Sequence, residues 1–296
     1  MGVRPRIRLI YNPTAGRGIF AAHLARVLHI LEEAGLEASV HATTGPGDAT
    51  REARRCAHDG FTYVAACGGD GTVNEVVNGI ATAAVRPTVG IIPCGTTNDL
   101  ARALDIPLNI EEAARRIARC DPAPLDLGCI GGDRFFVNLA ACGRMVDLTY
   151  EVPARMKALL GYLSYVVKGI ERLPGLRPVP IVLRAQECTY EGPAMLCVIT
   201  NSRSVAGFAR LAPNASVSDG LLDVIVLKPT HLANMIRLVT MTGRGEHVND
   251  EHVLYFQTRL LEVESEDTVD LNIDGEFGGH LPYVAQVMPQ HLSVLS

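Results

Sequence analysis

No run of apolar residues in this 296-residue chain approaches the ~18 that a membrane-spanning helix needs. The start, Met1-Gly2-Val3-Arg4-Pro5-Arg6, carries charge but no apolar stretch of signal-peptide length behind it. Arg6 also stands where a myristoylation pattern wants Ser or Thr. Basic charge is in deficit: 27 Lys and Arg against 32 Asp and Glu give a net charge of −5, which argues against a dedicated nucleic-acid binder. None of the eight cysteines belongs to a C-x-x-C pair, so neither a zinc knuckle nor a thioredoxin-type site is offered. Cys67 and Cys197 lie in apolar runs and read as small buried hydrophobes. There is no G-x-x-x-x-G-K-[ST], which excludes a P-loop enzyme, and no internal repeat or low-complexity tract. What remains reads as a soluble, intracellular chain. It is 48% hydrophobic and 20% charged, enough for a sizeable core, and its length suits two domains.

The chain changes texture near its middle. Up to Cys120, short apolar runs alternate with helical patterns, the signature of βαβ units and a parallel sheet. Strands are expected at Ile7 to Tyr11, around Val40, at Tyr63 to Cys67 and at Val89 to Ile92. The helix after the first strand shows Phe20, Leu24, Val27, Leu28, Leu31 and Ala34 on one face. Asp121-Pro122-Ala123-Pro124 then punctuates the chain. Beyond it, Leu125 to Ile130, Phe135 to Leu139, Ile181 to Leu183, Met195 to Thr200, Leu222 to Leu227, Leu260 to Val263 and Val269 to Ile273 read as strands of a mostly antiparallel sandwich. The exception is Arg155 to Leu173, an apolar stripe at helical spacing. The expected architecture is an α/β domain over 1–127 followed by an all-β sandwich over 128–296.

Three glycine-containing loops fall at the carboxyl ends of expected parallel strands, where such sheets bind ligands. They are Asn12-Pro13-Thr14-Ala15-Gly16-Arg17-Gly18, Gly68-Gly69-Asp70-Gly71-Thr72 and Pro93-Cys94-Gly95-Thr96-Thr97-Asn98-Asp99. Glycines let backbone N–H groups approach an anion, and a following helix N-terminus favours one. Asp70 repels phosphate unless a divalent cation lies between, with its carboxylate as a hard oxygen ligand. The plainer reading is an ordinary turn with an acidic helix cap. Asn74 is placed to hold Asp70 or a nucleotide hydroxyl. Gly16-Arg17-Gly18-Ile19-Phe20-Ala21 formally matches a dinucleotide fingerprint, but Asn12 to Ala15 separate it from the strand, so the tight turn is missing. Further on, Ser218-Asp219-Gly220 and Asp274-Gly275-Glu276 read as hairpin turns with Asp-Gly at the corner, leaving Glu276 a candidate base.

Taken together, Tyr11-Asn12-Pro13-Thr14-Ala15-Gly16, Gly68 to Glu75, Pro93 to Asp99 and Asn272-Ile273-Asp274-Gly275-Glu276 resemble the diacylglycerol kinase catalytic family, and within it the soluble bacterial members. The likeness runs over essentially the whole length and includes Gly161 to Pro174, Asp219-Gly220-Leu221-Leu222 and Gly243-Arg244-Gly245-Glu246-His247. The GGDGT element alone also occurs in NAD kinases and sphingosine kinases. The resemblance implies a nucleotide-binding α/β domain and a β-sandwich, with ATP and Mg2+ in the cleft between them. It places ATP on Asn12, Pro13, Thr14, Ala15, Gly16, Thr43, Gly69, Asp70, Gly71, Thr72, Val73, Asn74, Glu75 and Thr96. Asp70 is implied to hold the catalytic magnesium, and Glu276 to take the proton of the lipid hydroxyl. Asp219, with the carbonyls of Ser216 and Leu221, is implied to hold a second, structural magnesium. Asp99, Asp126 and Lys168 match a supporting acidic network and its basic partner. A homodimer is implied by the resemblance alone. Relatives commonly carry Lys at the position of Arg17, and Arg brings a bidentate fork where Lys brings a point charge. The sequence stops at Ser296, soon after Asp274-Gly275-Glu276, so a longer C-terminal tail of the kind that packs on the first domain is not expected.

These residues imply in-line phosphoryl transfer from ATP to the 3-hydroxyl of diacylglycerol, giving phosphatidic acid. A carboxylate of ordinary acidity, about 4.3, is a weak base for an alcohol, so burial or a neighbouring acid, Asp274, is expected to raise Glu276. A bilayer substrate implies a cytoplasmic enzyme working at the inner membrane face. From Arg134 to Arg177 there are seven basic and three acidic residues, a local patch suited to anionic lipid. The Arg155 to Leu173 helix is the candidate contact; an apolar stripe packed into the sandwich is the competing reading. Competing functions are a kinase for another lipid alcohol (phosphatidylglycerol, a ceramide or a sphingoid base), an NAD kinase, and a non-catalytic nucleotide-binding regulator.

Overall fold

The computed structural model describes residues 4–143, 177–205, 207–208 and 210–296. The chain divides into two compact units, Met1–Leu127 with Gln290–Ser296, and Gly128–Pro289. The predicted helix over Arg155 to Leu173, and Lys168 within it, lie outside the described residues.

The first unit follows the alternating pattern of its sequence: β1 (Arg6–Tyr11), α1 (Ile19–Glu33), β2 (Glu37–Ala42), α2 (Asp48–His58), β3 (Tyr63–Gly68), α3 (Asp70–Ala81), β4 (Thr88–Pro93), α4 (Asp99–Ala103), α5 (Ile110–Ala118) and the start of β5 (Pro122–Ile130). The first four strands pair in parallel in the order β2-β1-β3-β4. Val64, Ala65, Ala66 and Cys67 of β3 are all fully buried, as expected of a parallel strand covered on both faces. Val73, Val76, Val77 and Ile80 turn one face of α3 inward. Asn109 caps α5, its Oδ1 accepting the N–H groups of Glu111 and Glu112 at 3.0 and 3.1 Å.

The second unit continues with β6 (Arg134–Phe136), β7 (Leu139–Cys142), β8 (Val179–Arg184), β9 (Thr189–Ala194), β10 (Leu196–Thr200), β11 (Leu222–Leu227), α6 (Leu232–Thr242), β12 (Val253–Thr258), β13 (Leu260–Glu264), β14 (Asp270–Ile273), β15 (Glu276–His280) and β16 (Tyr283–Leu295). One antiparallel sheet runs β12-β11-β10-β7-β14-β15. Facing it are β16-β13-β8-β9 and the β5–β6 pair. Phe136, Leu183, Ile199, Val224, Leu261 and Leu271 are among the side chains that fill the sandwich between them. Leu238 of α6 packs on the other face of the first sheet, against Ala141, Val198 and Ile225.

The α/β unit and antiparallel sandwich match the fold class read from the sequence. The strand count and one helix do not. The sequence reading lacks β9, β12, β15 and the long β16; the first three stand at sheet edges, and two of them carry glycine or proline (Gly192 and Pro193 in β9, Gly278 and Gly279 in β15), which an edge tolerates. The expected single strand Phe135 to Leu139 is broken at Val137-Asn138, where three successive backbone N–H groups turn to the Asp274 carboxylate. Ser218-Asp219-Gly220 is a turn entering β11, with irregular chain rather than a partner strand before it. Gln290–Ser296 belongs to the first unit: Val294 pairs in parallel with Val89, and Ser296 N–H donates to Asp121 O at 3.3 Å.

Candidate active site

The three glycine loops of the first unit touch one another. Asn12 N–H donates to Cys67 O at 3.1 Å, and Asn12 Oδ1 accepts the N–H and hydroxyl of Thr14 at 2.9 and 2.8 Å, which rolls the chain out of β1 into a turn. Gly16, Arg17 and Gly18 then take left-handed backbone, with φ of 55°, 62° and 79°. A Cβ on Gly16 would sit 2.3 Å from Cys94 O, and one on Gly95 2.5 Å from the Gly69 Cα. Glycine stands at these positions because backbone from another loop occupies the space a side chain needs. Asn98, left-handed at φ 52°, braces the third loop, accepting from Gly95 N–H and donating to Gly95 O, both at 2.9 Å. Thr43 N–H donates to Tyr11 O at 2.9 Å, which sets a fourth loop beside the first. Asn12, Pro13, Thr14, Ala15, Gly16, Thr43, Gly69, Asp70 and Thr96 thus gather at the carboxyl ends of adjoining strands.

Asp70 is both a loop acid and a cap. Its Oδ2 accepts Asn98 N–H at 2.9 Å and its Oδ1 accepts Asp99 N–H at 2.7 Å, tying α3 to the start of α4. It lines a small crevice with Gly69, Pro93 and Asn98. Burial pushes its carboxyl above the usual range, and the two amides, with Arg102, pull it partly back. Asp99, 5% exposed, stands next to it. Each Asp70 oxygen keeps a lone pair beyond its amide bond. The half-buried Asp70 carboxylate is a hard oxygen donor that fits Mg2+, which takes one or two carboxylates and completes its shell with phosphate and water.

Other residues on the ATP-implied stretch do different work. Both oxygens of Glu75 are committed to the N–H groups of Gly47 and Ala49, at 2.9 and 3.0 Å, so this carboxylate holds the loop beyond Thr43 at the start of α2. Asn74 Oδ1 accepts from Asn78 Nδ2 at 3.2 Å. Thr72 and Val73 are buried, while Gly71 is exposed. Asp126 has no exposed surface and accepts Gln290 N–H at 2.6 Å.

In the second unit, Asp274-Gly275 forms the two-residue turn between β14 and β15, with φ of 48° and 95°, the positive pair that a type I′ hairpin requires. The Asp274 carboxylate accepts from Val137 N–H at 2.8 Å and from the N–H groups of Asn138 and Leu139 at 3.0 and 2.8 Å. The Asp274 carboxylate is thus turned onto three amides and positions the hairpin. Glu276 opens β15 opposite Ile273 and is exposed, so the burial expected of it is absent.

The loop with Ser216, Asp219 and Leu221 leads into β11. Asp219 Oδ1 accepts Leu221 N–H at 3.0 Å. Asp223, missed in the sequence, is 1% exposed and accepts from the Tyr255 hydroxyl and from Gln257 Nε2 at 3.3 Å. Burial, reinforced by the charge of Asp219, pushes Asp223 up to about 6. The Asp219 carboxylate, with the acid Asp223 near enough to feel its charge, is a hard oxygen donor of the kind a divalent cation takes. The signal for Asp223 was a lone acid inside the apolar run Leu222 to Leu227. No described helix is long and apolar enough to cross a membrane.

Glycine loops gathered at the carboxyl ends of parallel strands have the form of a ligand site in an α/β unit. Residues 6–130 match the model of the diacylglycerol kinase catalytic domain, and residues 147–296 that of the YegS C-terminal NAD kinase beta sandwich-like domain. The chain is 46% identical over 291 residues to a diacylglycerol kinase of Bacillus subtilis, covering 98% of this chain and 96% of that protein. A diacylglycerol kinase of Staphylococcus aureus is 39% identical, covering 99% and 93%. A solved diacylglycerol kinase structure from Bacillus anthracis superposes with a TM-score of 0.85 at 28% identity, covering 100% of this chain and 98% of that one. The chain belongs to the diacylglycerol kinase catalytic family.

Proposed function

We propose that this protein is an ATP- and Mg2+-dependent lipid kinase that phosphorylates the hydroxyl of diacylglycerol to give phosphatidic acid. The observation that carries the reading is the contact of Gly16 with Cys94 and of Gly95 with Gly69. Loops packed this closely present backbone N–H groups, without intervening side chains, to a chain of phosphates. Asn12 to Gly16, Thr43, Gly69 to Thr72 and Thr96 bind and orient the nucleotide, Glu75 holding the Thr43 loop in place. Asp70 holds Mg2+, which when bound offsets charge on the triphosphate, and Asp99 belongs to the supporting acidic network. Asp219, with the Ser216 and Leu221 carbonyls, holds the structural ion, and Asp126 and Lys168 support the acidic network. Family membership supports diacylglycerol as the acceptor, since the Bacillus subtilis and Staphylococcus aureus relatives carry that name.

Glu276 acts on the acceptor. As the hydroxyl oxygen bonds to the γ-phosphorus, the bond from that phosphorus to the ADP oxygen breaks, and the hydroxyl proton passes to the Glu276 carboxylate. The clamped Asp274-Gly275 turn fixes where that carboxylate starts. The enzyme works from the cytoplasm as a peripheral visitor to anionic lipid, using the basic stretch from Arg134 to Arg177.

The test is transfer of labelled γ-phosphate from ATP to a panel of lipid alcohols in mixed micelles, with and without Mg2+. Diacylglycerol is expected to be labelled only with the metal; exclusive labelling of another alcohol overturns the assignment. Glu276→Gln is expected to lower kcat by about 10²–10⁴-fold with ATP binding intact. Retention of more than about a tenth of the activity removes Glu276 from the role of base.

A further inference from the structure

The end of the six-stranded sheet that carries Glu276 also carries a buried polar floor. Ile199 of β10, Ala140 of β7 and Ile273 of β14 are register partners in one row, and all three face the sandwich core. Glu276 pairs with Ile273 and so shares that face. One row further out, at the strand period of two, stand Asn138 and Asn201, joined by Asn201 N–H to Asn138 O at 3.1 Å. Asn138, Thr200, Asn201, Ser202 and Asn272 are each at most 4% exposed. Polar groups enclosed at the mouth of an apolar sandwich are costly unless paired.

Most of this floor is paired. The Thr200 hydroxyl bonds Asn138 O at 2.7 Å and Ser202 O at 2.8 Å, and the Ser202 hydroxyl donates to Ser204 O at 2.8 Å. Asn272 Oδ1 accepts Gly275 N–H at 2.9 Å. The backbone of Asn138 is committed on both sides, its N–H to Asp274 and its carbonyl to Thr200 and Asn201. One exception is its side chain: Asn138 Oδ1 is buried and has no hydrogen-bond partner among the described residues. A carbonyl oxygen held by a rigid backbone, enclosed and without a partner among the described residues, calls for an explanation, and a ligand supplies one.

We propose that the Asn138 side-chain amide reads the headgroup of the acceptor lipid, and that the group it recognises is a hydroxyl with a neighbouring ester. The inference rests on Glu276 being the base. Adjacent strands lie ~4.8 Å apart and a residue rises ~3.3 Å, so Asn138, two strands across and two residues out, starts about 12 Å from Glu276, a gap their side chains bridge with an alcohol between them. A carboxamide offers an acceptor oxygen beside donor hydrogens. An esterified glycerol offers the complement. Its free hydroxyl donates to Oδ1 while the adjacent ester carbonyl accepts from Nδ2. As the hydroxyl oxygen bonds to phosphorus, the hydrogen leaves Oδ1 for the Glu276 carboxylate. Asn138 is then a residue that touches substrate and sets its specificity.

The experiment is a cycle of two acceptors and two proteins, 1,2-dioctanoylglycerol and its 1,2-dioctyl ether, with wild type and Asn138→Ala, in mixed micelles with Mg2+ and ATP. In the wild type the ester is expected to exceed the ether in kcat/KM by about 3–10-fold, the worth of one hydrogen bond. In Asn138→Ala the ester rate falls and the ratio collapses to about 1, with ATP affinity unchanged and the melting temperature within ~5 °C of wild type. A ratio that the substitution leaves unchanged overturns this inference alone. Wild type inert toward both acceptors overturns the kinase reading and this one with it. Asn138→Ser, smaller and still an acceptor, covers a failure of Ala to fold: if both variants melt more than ~10 °C low, the amide is structural and the inference falls.

Discussion

The three amides gathered by Asp274 make its replacement the sharpest test of how the acceptor side is built. Val137 has no exposed surface and Asn138 is 4% exposed, so amides released there do not recover fully in water. A hydrogen bond to a charged acceptor contributes about 1.5–3 kcal/mol, and with partial rehydration we take about 4 kcal/mol for losing all three in Asp274→Ala. Alanine at φ 48° adds about 1–2 kcal/mol of left-handed strain. Against a typical stability of about 5–15 kcal/mol that is a large fraction. At about 2–4 °C per kcal/mol for a unit of this size, the melting temperature of Asp274→Ala is expected to fall by roughly 10–20 °C. Asp274→Asn tolerates the left-handed turn and keeps Oδ1 on Asn138 and Leu139, losing only the Val137 bond, for about 1.5–3 kcal/mol. Differential scanning calorimetry and urea titration of the two variants measure both numbers. Should Asp274→Ala unfold within about 1 kcal/mol of wild type, the clamp is not what holds the hairpin, and the positioning role given to Asp274 is wrong.

Two other perturbations separate the units. Gly95→Ala drives a methyl to 2.5 Å from the Gly69 Cα, and is expected to cost about 1–3 kcal/mol and weaken ATP binding at least tenfold by calorimetric titration; binding at wild-type strength would show that the loops need not touch. His247 is buried and bonds Leu211 O through Nε2 at 2.8 Å, and burial holds its pKa below the usual imidazole value. Its neutral form is favoured in the fold, so stability is intact above the unfolded pKa of about 6.5 and is lost as pH falls toward the lower folded value. Urea midpoints from pH 7.5 to 5 should therefore drop more steeply in wild type than in His247→Gln; parallel curves would refute it.

How far the sequence could be read depended on where each residue finds its partners. Buried parallel strands such as Val64 to Cys67 announce themselves because both faces are covered and every position is apolar. Glycine loops are equally plain. The edge strands β9 and β15 are not, because an exposed edge accepts Gly and Pro and erases the alternation that marks a strand. The roles of the acids were harder still. Asp70 caps amides 28 and 29 residues away, and Asp274 amides 135 to 137 residues away, and no local pattern records such pairings. Both were legible as acids in turns. That the charge of Asp274 is spent on backbone, leaving Glu276 exposed beside it, became visible only with the fold. Asn138 gave no signal of its own, since an Asn between two apolar residues reads as a strand end.

Residues 1–127 and 290–296 form one unit with the whole of the other inserted between them, and this governs the order in which that unit can be completed. When Asp126 leaves the ribosome, the amide that will satisfy its sealed carboxylate, that of Gln290, has yet to be synthesised. Val89 likewise waits for Val294 at the end of translation. The nucleotide unit therefore stays open along one flank until the entire acceptor unit has been made, and a premature stop that spares every phosphate loop still deprives those loops of their finished scaffold.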